Sequence, residues 1–93
     1  MTTKMIIEIE IKSRGDIFES LDVGIIEFSE ETKTNLGKCS SYEEGKNVMV
    51  RLEIESLEKF LPFTTKTLMK GVAKFLECVN TQLKRVEVKE VKK

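Results

Sequence analysis

An α+β domain is what the sequence predicts for these 93 residues: a three-stranded antiparallel sheet with a short and a long helix packed on one face, in the order β-α-β-β-α. Two stretches, residues 5–12 and 48–55, alternate apolar and polar side chains with the period of 2 that marks a strand buried on one side. A third, residues 57–85, repeats Leu61, Leu68, Val72, Phe75, Leu76, Val79 and Leu83 at helical spacing, an apolar arc wide enough to cover a sheet. The length suits a single domain, residues 1–93.

Taken in order, Met5, Ile7, Ile9 and Ile11 form the buried side of the first strand, and Ile6 is its one apolar residue on the wet side. Residues 13–16 break the strand, and Asp16 followed by Glu19 matches a helix-capping pattern. A short helix is expected over residues 17–22, burying Ile17, Phe18 and Leu21. Residues 23–28 suit either a short strand or a packed loop, because Gly24 inside a helix costs about 1 kcal/mol relative to alanine. Residues 29–35 read as a polar loop, and 36–42 as a polar strand with Leu36 and Tyr42 on one face and Cys39 on the other. That strand's weak pattern suits a sheet edge, or a face covered by another chain.

A glycine-containing turn at residues 43–47 leads into the clearest strand, with Val48, Val50, Leu52 and Ile54 inward. Pro62 lacks an amide hydrogen, so the long helix should start there, after one separate turn over residues 57–61, and end near Lys84. Residues 86–91 suit either a short extra strand or a frayed tail.

The charge is zero overall but divided: residues 1–58 carry seven basic and thirteen acidic side chains, and residues 59–93 nine basic and three acidic. The halves are thus able to meet different partners, or to complement one another across a dimer. Fourteen Glu against two Asp and thirteen Lys against three Arg is a bias reported for hyperthermophile proteins. No apolar run approaches the roughly 20 residues of a membrane span. The first four residues lead straight into a strand without the apolar block of a signal peptide, so a cytoplasmic protein with no membrane partner is expected.

Catalysis of the Ser-His-Asp or Cys-His type lacks its base, because the chain has no histidine. Cys39 and Cys78 are too few for a four-ligand zinc site or a disulfide framework, and the five glycines stand too far apart to cradle phosphate. The expectation is a protein that is not an enzyme and needs no cofactor or metal. Lys66, Lys70 and Lys74 form an i, i+4 row on one helix face and, with Lys84, are the candidate RNA contacts, electrostatic and sequence-blind because no exposed aromatic platform accompanies them. On another strip Thr67, Gly71 and Cys78 are small enough to let a second backbone come close, either from another chain or from the first helix of this one.

Three local patterns resemble one known family. They are residues 17–21 (Ile-Phe-Glu-Ser-Leu), residues 44–46 (Glu-Gly-Lys) leading into 48–55, and residues 61–70, where Leu61, Thr67, Leu68, Met69 and Lys70 fit. Together with the element order they are similar to the small CTAG-type subunit of the KEOPS complex, which makes threonylcarbamoyladenosine in tRNA. Pro62 stands where that family has Arg and Lys66 where it has Asn, as in a divergent paralogue.

The resemblance implies a non-catalytic scaffold and dimerisation subunit. It would pair through its sheet with a second copy or a paralogous small subunit, with Leu36, Cys39 and Tyr42 near the seam. Its long helix would bind the catalytic subunit through Thr67, Lys70, Gly71, Lys74 and Cys78, and it would help to hold tRNA. A stand-alone RNA-binding module using the lysine row is the alternative reading, and a small-molecule enzyme or regulator of ferredoxin-like shape a third.

Overall fold

A computed structural model describes residues 3–15, 17–56 and 63–91. The elements are β1 (Thr3–Lys12), α1 (Ile17–Thr32), β2 (Cys39–Glu44), β3 (Asn47–Ser56), α2 (Thr65–Val79) and β4 (Leu83–Val91). They form a four-stranded sheet of order β2-β3-β1-β4, and each neighbouring pair is antiparallel. Both helices pack on one face, giving the split β-α-β arrangement of ferredoxin-like domains.

The register between the two central strands follows from the apolar alternation. Met5 faces Ile54, Ile7 faces Leu52, Ile9 faces Val50 and Ile11 faces Val48, and all eight are buried beneath the helices. Slipping by one residue would turn this whole set to the other side, so the pattern specifies the register strongly. On the open side Ile6 lies between Glu53 and Lys89, and Met49 between Glu10 and Tyr42. Ile6 is the one apolar residue of β1 on that side, but it is buried rather than wet, as is Met49 on β3.

The first helix is longer than expected. Residues 23–28 are neither strand nor loop but continue α1 to Thr32, taking in the first part of the expected loop at 29–35. Ile17, Leu21, Gly24, Phe28 and Thr32 form its buried line. A Cβ on Gly24 would stand 2.8 Å from Cδ2 of Phe75, so glycine serves the helix contact there at the expense of helix propensity. Phe18, expected in the core, is 44% exposed. The helix stops where Lys33 turns left-handed (φ 53°) and the Thr34 amide donates to the Ser29 carbonyl, a Schellman-type end.

α2 begins after Thr64, whose hydroxyl accepts from the Thr67 amide at 3.2 Å. It ends at Val79 rather than near Lys84, because Asn80 takes the left-handed conformation (φ 50°, ψ 53°) and its amide closes on the Leu76 carbonyl at 2.8 Å. Arg14 Nε donates to the Val79 carbonyl at 2.8 Å, satisfying one of the helix's last acceptors. The expected turn at 57–61 and the cap at Asp16 lie outside the described residues, and the helix expected from Pro62 starts only at Thr65, because Thr64 is extended and caps it.

The tail is a strand: β4 pairs along β1 with a register shift between Glu10 and Ile11, which makes the sheet four-stranded. Lys12 N–H to the Gln82 carbonyl (2.9 Å) and Thr81 Oγ1 to the Lys12 carbonyl (2.7 Å) anchor its start.

A Cβ on Gly71 would stand 2.8 Å from Thr32 Cγ2 and 3.0 Å from Phe28 Cδ2. Thr32 is held by its hydroxyl on the Phe28 carbonyl at 2.9 Å and Phe28 is fully buried, so neither yields easily. Gly71→Ala gains about 1 kcal/mol of helix propensity but is expected to lose about 1–3 kcal/mol to overpacking. The net result is a lower urea midpoint at unchanged slope, and Gly71→Leu falls further.

Candidate functional site

Two surfaces collect most of the candidate residues. On α2 the buried line is Leu68, Gly71, Val72, Phe75 and Val79, which leaves Lys66, Lys70 and Lys74 exposed on the far side. Lys74 Nζ lies 3.8 Å from Glu77 Oε2, an exposed pair that screens one member of the row without neutralising it. Lys84 is not on this helix; it is exposed on β4, apart from the row. Thr67 and Cys78 are half-buried and Gly71 is buried. The close approach expected at the small-residue strip is therefore made at Gly71 by α1 of the same chain, through Phe28 and Thr32. Lys70 and Lys74 are the exposed members of the expected partner surface.

The second surface is the sheet edge. β2 is outermost, and all six of its residues are exposed. Pairing with β3 begins just before it, where the Gly37 amide donates to the Glu53 carbonyl (2.8 Å) and the Glu53 amide to the Lys38 carbonyl (3.1 Å). Cys39 faces the helix side opposite Leu52, and Tyr42 the open side opposite Met49. Leu36 does not share Tyr42's side, because it packs against the core. β2 contains no Lys, Pro or bulge, and its charges, Glu43 and Glu44, stand at its end, whereas β4 on the opposite edge carries Lys84, Arg85 and Lys89 along its length.

Cys39 is a free thiol that donates weakly to the Gly37 carbonyl at 3.8 Å. Desolvation, and then the nearby Glu53 carboxylate, push it above its ordinary 9.0, so it is protonated at neutral pH and a poor nucleophile. Among the described residues no three of His, Cys, Asp and Glu are grouped so as to hold a metal.

The open face of the sheet is an ion-pair lattice. Lys89 Nζ lies 2.6 Å from Glu8 Oε1, Arg85 bridges Glu10 at 3.4 Å and Glu87 at 2.8 Å, Lys4 lies 3.5 Å from Glu53, and the Asn47 amide donates to Glu10 at 2.7 Å. Glu8 and Glu10 on the central strand thus set negative charge among the basic side chains of this face, and among the described residues Arg51, opposite Glu8, is exposed there outside these ion pairs. The lattice escaped the sequence reading because it exists only once β4 lies beside β1. Its signal was the alternation of Val86 and Val88 with Glu87 and Lys89.

No protein-family model matches the chain, and no curated protein matches it at a significant level. Solved structures do resemble it. The C-terminal domain of the MgtC protein from Mycobacterium tuberculosis superposes with a TM-score of 0.63 at 10% identity, over 96% of this chain and 87% of that one. A formyltetrahydrofolate deformylase from Pseudomonas putida KT2440 gives 0.56 at 13% identity over 91% of this chain, which spans only 28% of the enzyme. An uncharacterized protein, TM1266 from Thermotoga maritima, gives 0.53 at 14% identity over 99% and 100% of the two chains. At such identities the likeness is one of fold: the chain is a small antiparallel α+β sandwich of the split β-α-β kind.

The Glu8–Lys89 pair makes stability depend on pH. The Lys89 hydrogen bond, joined by the charges of Lys89, Arg51 and Arg85, holds the Glu8 carboxyl below its ordinary 4.5 against an opposing desolvation effect. Its stabilisation is therefore complete above about pH 4.5 and lost as pH falls through the lowered value. Glu8, then Glu87, hold Lys89 above its ordinary 10.5, so its share is complete below about pH 10.5 and lost only above that. Urea unfolding of Glu8→Gln should show a deficit at pH 7 that shrinks progressively as pH is lowered below 4.5.

Proposed function

We propose that this chain is a non-catalytic scaffold and dimerisation subunit of a tRNA-modifying assembly of the KEOPS type. In this reading it pairs through the β2 edge with a second copy or a paralogous small subunit, and it meets the catalytic subunit on the exposed side of α2. The observation that carries the reading is the asymmetry of the two sheet edges: β4 is tied down by ion pairs, whereas all six residues of β2 are exposed and its first four, Cys39 to Tyr42, carry no charge. An edge left in that condition is a template for another strand. Lys70 and Lys74, flanked by half-buried Thr67 and Cys78, supply the helix contact. The tRNA-modification context comes from the resemblance at residues 17–21, 44–55 and 61–70.

Light scattering should give a dimer for the purified chain or for its mixture with a paralogous small subunit. Ser41→Lys/Tyr42→Lys sets like charges across the seam at exposed positions and should abolish pairing through the β2 edge while the chain stays folded. A monomeric parent chain that also fails to pair with a paralogue overturns the edge assignment. A tagged chain that recovers no KEOPS component in a pull-down overturns the tRNA-modification reading.

The exposed Lys66-Lys70-Lys74 row supports a second reading, a stand-alone RNA-binding module. Reversing all three to Glu should then abolish salt-sensitive tRNA binding in filter assays, and binding that survives the reversal removes this reading.

A further inference from the structure

We propose that the outward faces of α1 and α2 form a self-complementary surface, on which α1 of one copy of this chain lies antiparallel along α2 of a second copy. Glu19, Val23, Ile26 and Glu30 are exposed along α1 at steps of four, three and four residues, the spacing of a coiled-coil seam. Val23 and Ile26 are the most exposed large apolar side chains among the described residues, at 54% and 55%. Along α2 the exposed residues Lys66, Met69 and Ala73 follow steps of three and four, with Lys70 beside them and Met69 48% exposed.

The charges select the partner. α1 carries five acidic side chains and no basic one, whereas α2 carries three lysines and one Glu. Antiparallel alignment brings Glu30 opposite Lys66, Ile26 opposite Met69 and Val23 opposite Ala73. Glu19 then falls near Glu77, the one like-charged pairing, and Lys74 at 3.8 Å from Glu77 tempers it. α1 and α2 run antiparallel side by side within the chain, with Gly24 against Phe75 and Gly71 against Phe28. One two-fold axis parallel to the helices therefore makes the α1–α2 contact twice.

Two helices of about 22 Å length, set about 10 Å apart, offer a face of roughly 450 Å² per copy. The total of about 900 Å² belongs to the weak, transient class of interface. The pairing is independent of the tRNA-modification reading, since it needs only the two helix faces, and a helical partner docked there would compete with it.

Sedimentation equilibrium of the Ser41→Lys/Tyr42→Lys chain, whose edge pairing is blocked, reads this interface alone. The expected result is a monomer–dimer equilibrium that weakens as salt rises. Ile26→Lys should weaken it by about tenfold or more, and Glu30→Lys and Lys66→Glu singly by about tenfold, whereas the double charge swap returns it to within about threefold of its parent. Circular dichroism confirms that each variant is folded. A chain that stays monomeric at all concentrations and salts, an unchanged Ile26→Lys, or a double swap no better than either single would overturn the proposal.

Discussion

The close approach of α1 to α2 is the constraint on which the other features depend. Gly24 receives the Phe75 ring and Gly71 receives Phe28 and Thr32, so the two helices are keyed at two points along their length. That keying decides which sides of each helix remain for solvent or a partner. On α2 it assigns one side to the sheet and one to α1, leaving the lysine side outward. On α1 it leaves Val23 and Ile26 outward beside the acidic residues. Glycine is costly within a helix, and both glycines are placed where any side chain would collide with a neighbouring helix.

The parts of the fold legible in the sequence are those whose physics is local. β1 and β3 announce themselves because a half-buried strand alternates with period 2, and the turn between β2 and β3 contains Gly45 in the left-handed conformation (φ 64°). α1 is longer than its local sequence suggests because the helix penalty of Gly24 is offset by its contact with Phe75, from another part of the chain. α2 is shorter than its apolar spacing suggests, because Leu83 falls four residues after Val79 and continues that spacing from the following strand. The stop signal, Asn80 in the left-handed region, resembles any polar residue until its backbone is known. Lys84, next to Leu83, belongs to β4 for the same reason. The β2 edge was legible through its lack of pattern, but Leu36 was not, because it sits before the strand and folds onto the core.

The division of charge along the chain has two different fates. In the sheet, the basic C-terminal strand lies beside the acidic first strand, and Lys89 with Glu8 and Arg85 with Glu10 settle the difference within one molecule. In the helix layer the same division is left open, because the contact between α1 and α2 is made by Gly24, Phe28, Thr32, Gly71 and Phe75 rather than by charges. An acidic helix and a basic helix thus stand side by side with their charged sides outward. Internal pairing thus uses the charge difference between the strands, and only an external partner would use that between the helices.

The two sheet edges impose a similar logic on any pairing through β2. A two-fold axis perpendicular to the sheet keeps the helix side of one copy level with the helix side of the other. Residues facing across the seam must then lie on the same side, and the axis passes through a residue rather than between two. With the axis at Tyr42, Lys38 would oppose Lys46 of the second copy. At Ser41, Lys38 opposes Glu44 and Ser40 opposes Tyr42, each twice by symmetry. Residues 39–41 carry no apolar alternation able to fix a register, so these end charges would have to do so, and the register of such a pair would be sensitive to salt where that of β1 and β3 is not.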